Sequence, residues 1–331
     1  LNSKIFSFLK FLVLLSLAVL LLYWAFKGQD LGLIIHQLKN TRYHWLAASV
    51  LACLVAHLIR AIRWGLLIEP LGYQIAVKNT FSAVMVAYLA NLAIPRMGEV
   101  SRCAVLNKTD RVPVNQLLGT VITERFFDLL FLLGITGLSL VLAFDRIADF
   151  IYQNAWLKME DKVQQSELLW WSIDLIALFI LLIYLLKNKI GKLIHPFISA
   201  LDGFKNGLLS FYKMPNKKAF ILLSALLWFF YLLSTYLCFF ALSATSNLGM
   251  DAALAALVFG SLGMIVPVQG GIGAFHWMVA EGLTLYALPK TEGLAFATLI
   301  HSSQILVILL IGSLCLVPVL LIHREKEQEA A

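Results

Sequence analysis

The apolar residues of this chain come in blocks, and the blocks are long enough to cross a bilayer. Runs at about 5–26, 45–68, 117–143, 171–187, 219–243 and 293–322 approach or exceed the roughly 20 residues that a spanning helix needs. Hydrocarbon offers the backbone no hydrogen bonds, so such runs must satisfy their own, and helices do so. Composition points the same way. Of 331 residues, 60% are hydrophobic and 14% charged, against about 25% charged in a soluble domain. Lys4 and Lys10 precede the first run in the manner of a signal peptide, but that run is too long and lacks a small-residue cleavage site before Lys27. It reads as the first span. Cys53, Cys103, Cys238 and Cys315 show no disulfide or metal-type spacing. The net charge of +7 comes without any base-stacking or basic-helix motif, so it is assigned to loops facing anionic lipid and not to nucleic acid.

Two further apolar stretches differ in kind. Asn79 to Leu106 is interrupted by Ile94-Pro95-Arg96-Met97-Gly98-Glu99, and Asp251 to Leu288 by Val266-Pro267-Val268-Gln269-Gly270-Gly271-Ile272-Gly273. Proline removes a backbone donor and glycine loosens the helix, so each stretch is expected to form two short helices around a break. Superimposing Pro95 on Pro267 places Gly98 on Gly270 and Asn79 on Asp251. Paired interruptions of this kind point to an internal repeat and to a transporter's binding site. The expected architecture is all-α and polytopic, a single membrane domain over 1–331. It has about six full spans plus two broken re-entrant hairpins, with inverted pseudo-repeats at 1–144 and 171–322. The lysines of 187–218 mark that segment as cytoplasmic, and Ile190 to Leu208 within it has amphipathic helical spacing. The acidic segment 145–170 then lies on the other side. The basic loop 27–44 would also face outward, against the charge rule, and counting the broken stretches as full crossings gives a competing topology.

Ionisable residues inside apolar blocks are costly, roughly 2.5–3.5 kcal/mol each at mid-bilayer on insertion scales. This chain concentrates them. Arg96, Glu99 and Arg102 surround the first break, and Glu124, Arg125 and Asp128 lie near the start of the run at 117–143. His276 follows the second break, and His301 lies in the last span. Glu99 with Arg102, and Arg125 with Asp128, are three apart and share a helix face. These groups either hold helices together as ion pairs or bind a ligand. Arg60 and Arg63 read as snorkelling to the interface, and His57 as an ordinary packed histidine. Several arginines beside glycine-freed amides suit a phosphate-bearing lipid headgroup, with apolar surface for its tails.

Read together, Ile94 to Arg102, then Glu124-Arg125-Phe126-Phe127-Asp128, then Pro267 to Gly273 resemble the lysylphosphatidylglycerol synthase transmembrane-region family. That family includes the flippase portion of bacterial multiple peptide resistance factors. The resemblance implies a multi-pass protein of the bacterial cytoplasmic (inner) membrane. It would move anionic, aminoacylated or polyprenyl-phosphate lipids between leaflets. His276 and His301 depart from the family, which often carries an acid and an arginine at these places. No acyltransferase domain is expected after His323-Arg324-Glu325-Lys326, so lysyl transfer is not assigned. A lipid flippase is therefore favoured over a headgroup-modifying transferase or a scaffold. The expected headgroup contacts are Arg96, Glu99, Arg102, Arg125, Asp128, Gln269, Gly270, Gly271, His276 and His301. Pro95, Gly98, Pro267 and Gly273 are expected as hinges. No cofactor or metal is implied. The expected partners are the lipid headgroup and the bilayer, and self-association is left open.

Overall fold

The computed structural model describes residues 3–144, 146, 211–212 and 214–329. The expected span at 171–187, nearly all of the loop 145–170, and the amphipathic helix of 190–208 lie outside these residues. The described chain is helical, joined by short turns, as an all-α polytopic membrane protein requires.

Helix α1 (Ser3–Phe26) turns by 93° into α2 (Leu31–Lys39). From the sequence, 27–44 is expected to be a loop. A helix forms there because Asp30 caps it, its carboxylate accepting from Leu33 N at 3.0 Å, and because Ile34 buries its apolar side. Next come α3 (Tyr43–Ile68), α4 (Val77–Ala93), α5 (Gly98–Asp110) and α6 (Val114–Leu142). The second part holds α7 (Lys217–Phe239), α8 (Met250–Ile265), a 3-10 turn at Gln269–Gly271, α9 (Ala274–Thr284) and α10 (Lys290–Glu329). Among the described residues, Tyr43–Leu71, Val114–Leu142, Lys217–Phe239 and Lys290–Leu321 are long and apolar enough to span. Each agrees with an expected span. Leu130, Leu133, Leu140, Leu226, Leu310 and Leu314 point outward, as lipid-solvated helices do.

Both interrupted stretches form two short helices around a break. The helices α4, α5, α8 and α9 contain 17, 13, 16 and 11 residues. At 1.5 Å per residue these are about 16–26 Å long, short of the roughly 30 Å hydrocarbon core. Each pair folds back on itself. A Cβ added to Gly98 would lie 2.5 Å from Ala87 O, and one on Gly263 would lie 2.9 Å from Ala274 O. The two hairpins then meet at their tips. Arg96 donates from Nη2 to Ile265 O at 3.3 Å, and a Cβ on Gly270 would come within 2.7 Å of Leu92.

Polar clasps fix the spans around these hairpins. Ser49 Oγ donates to Ser234 O at 2.7 Å while Ser234 Oγ donates to Ser49 O at 2.9 Å, tying α3 to α7. Trp64 Nε1 donates to Thr120 Oγ1 at 2.9 Å, tying α3 to α6. Gly312 faces α4, where a Cβ would lie 3.0 Å from Met85 O, whereas Ser313 is exposed. Gly312 is thus a packing residue between helices within this chain.

Candidate functional site: a buried charge network beside an amphipathic cavity

The ionisable residues of α3, α5 and α6 converge. Arg60 and Arg63 lie one turn apart on α3, and Glu124 and Asp128 one turn apart on α6, so the two pairs face each other as a square. Arg60 Nη1 lies 2.5 Å from Glu124 Oε1 and 2.9 Å from Asp128 Oδ2. Arg63 Nη2 lies 3.0 Å from Glu124 Oε1 and 2.7 Å from Asp128 Oδ1. Arg102 of α5 adds Nη1 to Glu124 Oε2 at 2.7 Å and stacks its guanidinium 4.6 Å above the Trp64 ring. Arg63 and Glu124 are fully buried.

Arg60 and Arg63 therefore do not snorkel. They sit inside the bundle because both carboxylates of α6 are turned toward them, and an interfacial position would strand those acids. Glu124 is the hub. The signal for it was in the sequence: opposite charges at one-turn spacing on two separate spans. The pairing of Glu99 with Arg102 is not formed. Glu99 reaches Arg125 Nε at 3.7 Å instead, while Arg102 belongs to Glu124.

Arg125 is held differently from the others. Its contacts to Glu99 and Asp128 are long, 3.7 and 3.6 Å, and its side chain is 46% exposed. The network sets Arg60, Arg63, Arg102 and Arg125 against Glu99, Glu124 and Asp128, which leaves one positive charge in excess. That excess resides at the least saturated member, Arg125.

Arg125, Arg60 and Asp128 line one end of a cavity of about 470 Å³, within the range of small-molecule sites. Tyr88, His57 and Tyr231 complete this polar end, and Arg60 Nε donates to Tyr231 Oη at 3.4 Å. Leu129, Leu132, Leu257, Ile265, Ile300 and Ile308 are among the residues that make the rest mainly apolar, with Ser234, Thr235, Ser261 and Gln304 interspersed. The cavity runs between both hairpins and the spans α3, α6, α7 and α10.

Not all expected site residues meet here. Arg125 and Asp128 line the large cavity. Gly98, Glu99 and Arg102 line a small adjoining pocket with Arg60, Asn91 and Arg125. Arg96 and Pro95 lie at the tip of the first hairpin. Gln269, Gly270, Gly271, Gly273 and Pro267 form the tip of the second. The buried Gln269 amide faces α1, oriented with its nitrogen 3.0 Å from Leu14 O and its oxygen 3.2 Å from Leu15 N. His301 Nε2 donates to Gly270 O at 2.9 Å, and His276 Nδ1 accepts from Gly273 N at 3.3 Å. These two histidines brace the second break and are not among the cavity-lining residues.

Known proteins resemble this chain in sequence. The family described as the lysylphosphatidylglycerol synthase TM region matches residues 8–312. A UPF0104 membrane protein of Methanocaldococcus jannaschii is 25% identical over 319 residues, covering 87% of this chain and 88% of its own length. Glycosyltransferase AglD of Haloferax volcanii is 28% identical over 131 residues, 39% of this chain and 20% of that protein. No solved structure gives a significant match. The interrupted hairpins and the multi-pass helical bundle span the same stretch as the family match, and the chain belongs to the lysylphosphatidylglycerol synthase TM-region family.

Proposed function

We propose that this protein moves a phosphate-bearing lipid between the leaflets of a cytoplasmic membrane. The observation that carries this reading is the mixed lining of the cavity, with a half-exposed, under-paired arginine among its polar residues and a mainly apolar wall broken by Ser234, Thr235, Ser261 and Gln304. A planar guanidinium with free donors matches phosphate oxygens, and in a low-dielectric wall its excess charge has few competitors. Acyl or polyprenyl tails fit the aliphatic side. The family's link to lipid handling supports the same reading.

Arg125 makes the direct headgroup contact, with Arg60 behind it. Asp128 and Glu99 compete for Arg125, so that headgroup and carboxylates exchange for one cation. Arg102 acts from the second layer by holding Glu124, and Arg96 acts at the hairpin tips. The two hairpins are re-entrant, and their breaks let the cavity open to either side.

Reconstitution into liposomes with labelled anionic, aminoacylated and polyprenyl-phosphate lipids tests this. The native protein is expected to move at least one class, and Arg125→Ala to slow it by about tenfold or more, as for loss of a charged hydrogen bond of about 1.5–3 kcal/mol. Arg125→Lys should recover part of the rate, since it restores charge without the fork. Folded protein that moves none of the probes would overturn the proposal.

A further inference from the structure

His276 and His301 both hold the second break, and each does so with one ring nitrogen that is poorly placed to take a proton. A carbonyl can only accept, so His301 Nε2 carries the hydrogen donated to Gly270 O at 2.9 Å. Its other nitrogen, Nδ1, is buried and has no hydrogen-bond partner among the described residues, in a residue only 4% exposed, so it offers no acceptor for a second ring hydrogen. A backbone N–H can only donate, so His276 Nδ1 is a lone pair accepting from Gly273 N at 3.3 Å. His276 stands at the third position of α9 and caps its first turn in the way a Glu or Gln does in a capping box. The two rings lie 5.0 Å apart, and Phe275 packs 4.6 Å from His301.

We infer that His276 and His301 form a proton-binding site that releases the second hairpin tip when occupied. A proton on His276 Nδ1 converts the acceptor of the Gly273 cap into a donor facing a donor, and the cap is lost. A proton on His301 Nδ1 places a charged N–H in a buried position with no acceptor. Either event disfavours the observed arrangement, so acid acts in one direction, toward opening. The tip they hold is closely packed against α1, so loss of the histidine bonds removes part of what seats it there. Gly273 has φ +85°, and a Cβ there would lie 2.7 Å from Leu22 N and 2.9 Å from Ala18 O of α1. Gly270, the residue held by His301, touches Leu92 of the first hairpin.

Little else nearby competes for the proton. Helix α1 offers no ionisable side chain from Leu12 to Phe26 except the exposed Tyr23. Helix α8 carries only Asp251, at its opposite end, and α9 only Glu281, which is paired with Lys290. Helix α10 has Lys290 and Glu292 at its start, Cys315 well beyond His301, and the charged run His323 to Glu329 at its far end. On α4 the ionisable groups are Lys78 and Tyr88, and at the facing tip Arg96 is bonded to Ile265 O. The pair is thus shielded from carboxylates, and its neutral form is the resting one.

For transport the inference rests on the proposed lipid movement; for the hairpin it does not, and the test separates the two. Amide exchange of 270–277 is measured in the native protein and in His276→Gln/His301→Gln, corrected for intrinsic exchange at each pH. Glutamine can accept from Gly273 N and donate to Gly270 O, yet does not titrate. Between about pH 7.5 and about pH 5 the native tip should lose protection by about tenfold or more, and the double variant by less than about twofold. His301→Gln alone serves if the double variant does not fold, and should show a reduced pH response. Equal pH responses in native and variant protein overturn the site. If exchange responds while labelled lipids stay put, the proton site stands and the transport reading falls. If lipids move and exchange ignores pH in both proteins, the reverse holds.

Discussion

Removing the Glu124 carboxylate should cost more than any other single truncation in the charge network, and the geometry says why. Its two oxygens receive Arg60, Arg63 and Arg102 at 2.5, 3.0 and 2.7 Å, all inside the bundle. In Glu124→Leu those guanidiniums remain buried with Asp128 as the one carboxylate left in close contact, and Arg102 loses its ion-pair partner. Breaking a buried pair from one side costs about 3–5 kcal/mol, mostly the penalty of the stranded charge. Arg102→Met should cost much less, because Glu124 keeps two arginines and two unpartnered nitrogens, Nε and Nη2, disappear with the side chain. The double variant should therefore be more stable than the sum of the singles implies, with a coupling of about 1–3 kcal/mol. Denaturant titration in detergent micelles, followed by tryptophan fluorescence, reads all four proteins. About 4 kcal/mol corresponds to about a thousandfold in the unfolding equilibrium. A Glu124→Leu cost below about 1 kcal/mol, or strict additivity with Arg102→Met, would refute the network as the anchor of α3, α5 and α6.

Arg125→Ala is the counterpart: exposed and loosely paired, it should shift the unfolding midpoint by less than about 1 kcal/mol while slowing lipid movement. Ser234→Ala removes one half of the α3–α7 clasp and should cost about 0.6–1.7 kcal/mol in the same titration. Gly98→Ala places a methyl group where Ala87 O lies 2.5 Å away and should destabilise the first hairpin by about 1–3 kcal/mol, raising amide exchange across 87–98. Arg96→Ala should leave global stability nearly unchanged but raise exchange at 265–270, since it removes the bond to Ile265 O. Lost lipid movement without that change in exchange would make Arg96 a headgroup ligand and not a clasp.

The breaks were legible because proline and glycine act locally. Pro95 and Pro267, each followed closely by glycine, mark where a helix stops, and both stops appear where expected, whereas the isolated Pro318 stays inside α10. The long apolar runs were legible for the same reason. What the sequence concealed depends on which faces meet across helices. Arg60 and Arg63 carry no local mark that separates snorkelling from burial, and the difference is made by Glu124 and Asp128 some sixty residues away. The Glu99–Arg102 spacing is right for a pair, yet Trp64 and Glu124 draw Arg102 to the opposite side. Helix α2 was missed because nine residues are too few to register as a span, and Lys27, Lys39 and Arg42 give the segment the charge of a loop. Tyr88 and Tyr231 entered the cavity wall without notice, since an aromatic residue in an apolar run is ordinarily core.

The distribution of strength within the bundle follows from these contacts. Stiff elements cluster on α3, α6 and α7, where multiple short ion pairs and a reciprocal serine clasp oppose any sliding. The hairpin tips meet through a 3.3 Å guanidinium–carbonyl bond and the packing of Leu92 on Gly270. Ile265 O, Gly270 O and Gly273 N lie at a helix end or in the break between helices, so they take side-chain partners that can let go. The cavity is bounded by both kinds of wall: rigid on the Arg60–Asp128 side, compliant where Ile265 and Phe275 flank the second break. A headgroup bound on the rigid side keeps a fixed position while the compliant side moves, which is the geometry alternating access demands. Under the proposed lipid movement, the charge network is the fixed frame of the cycle and the broken hairpins are its moving part.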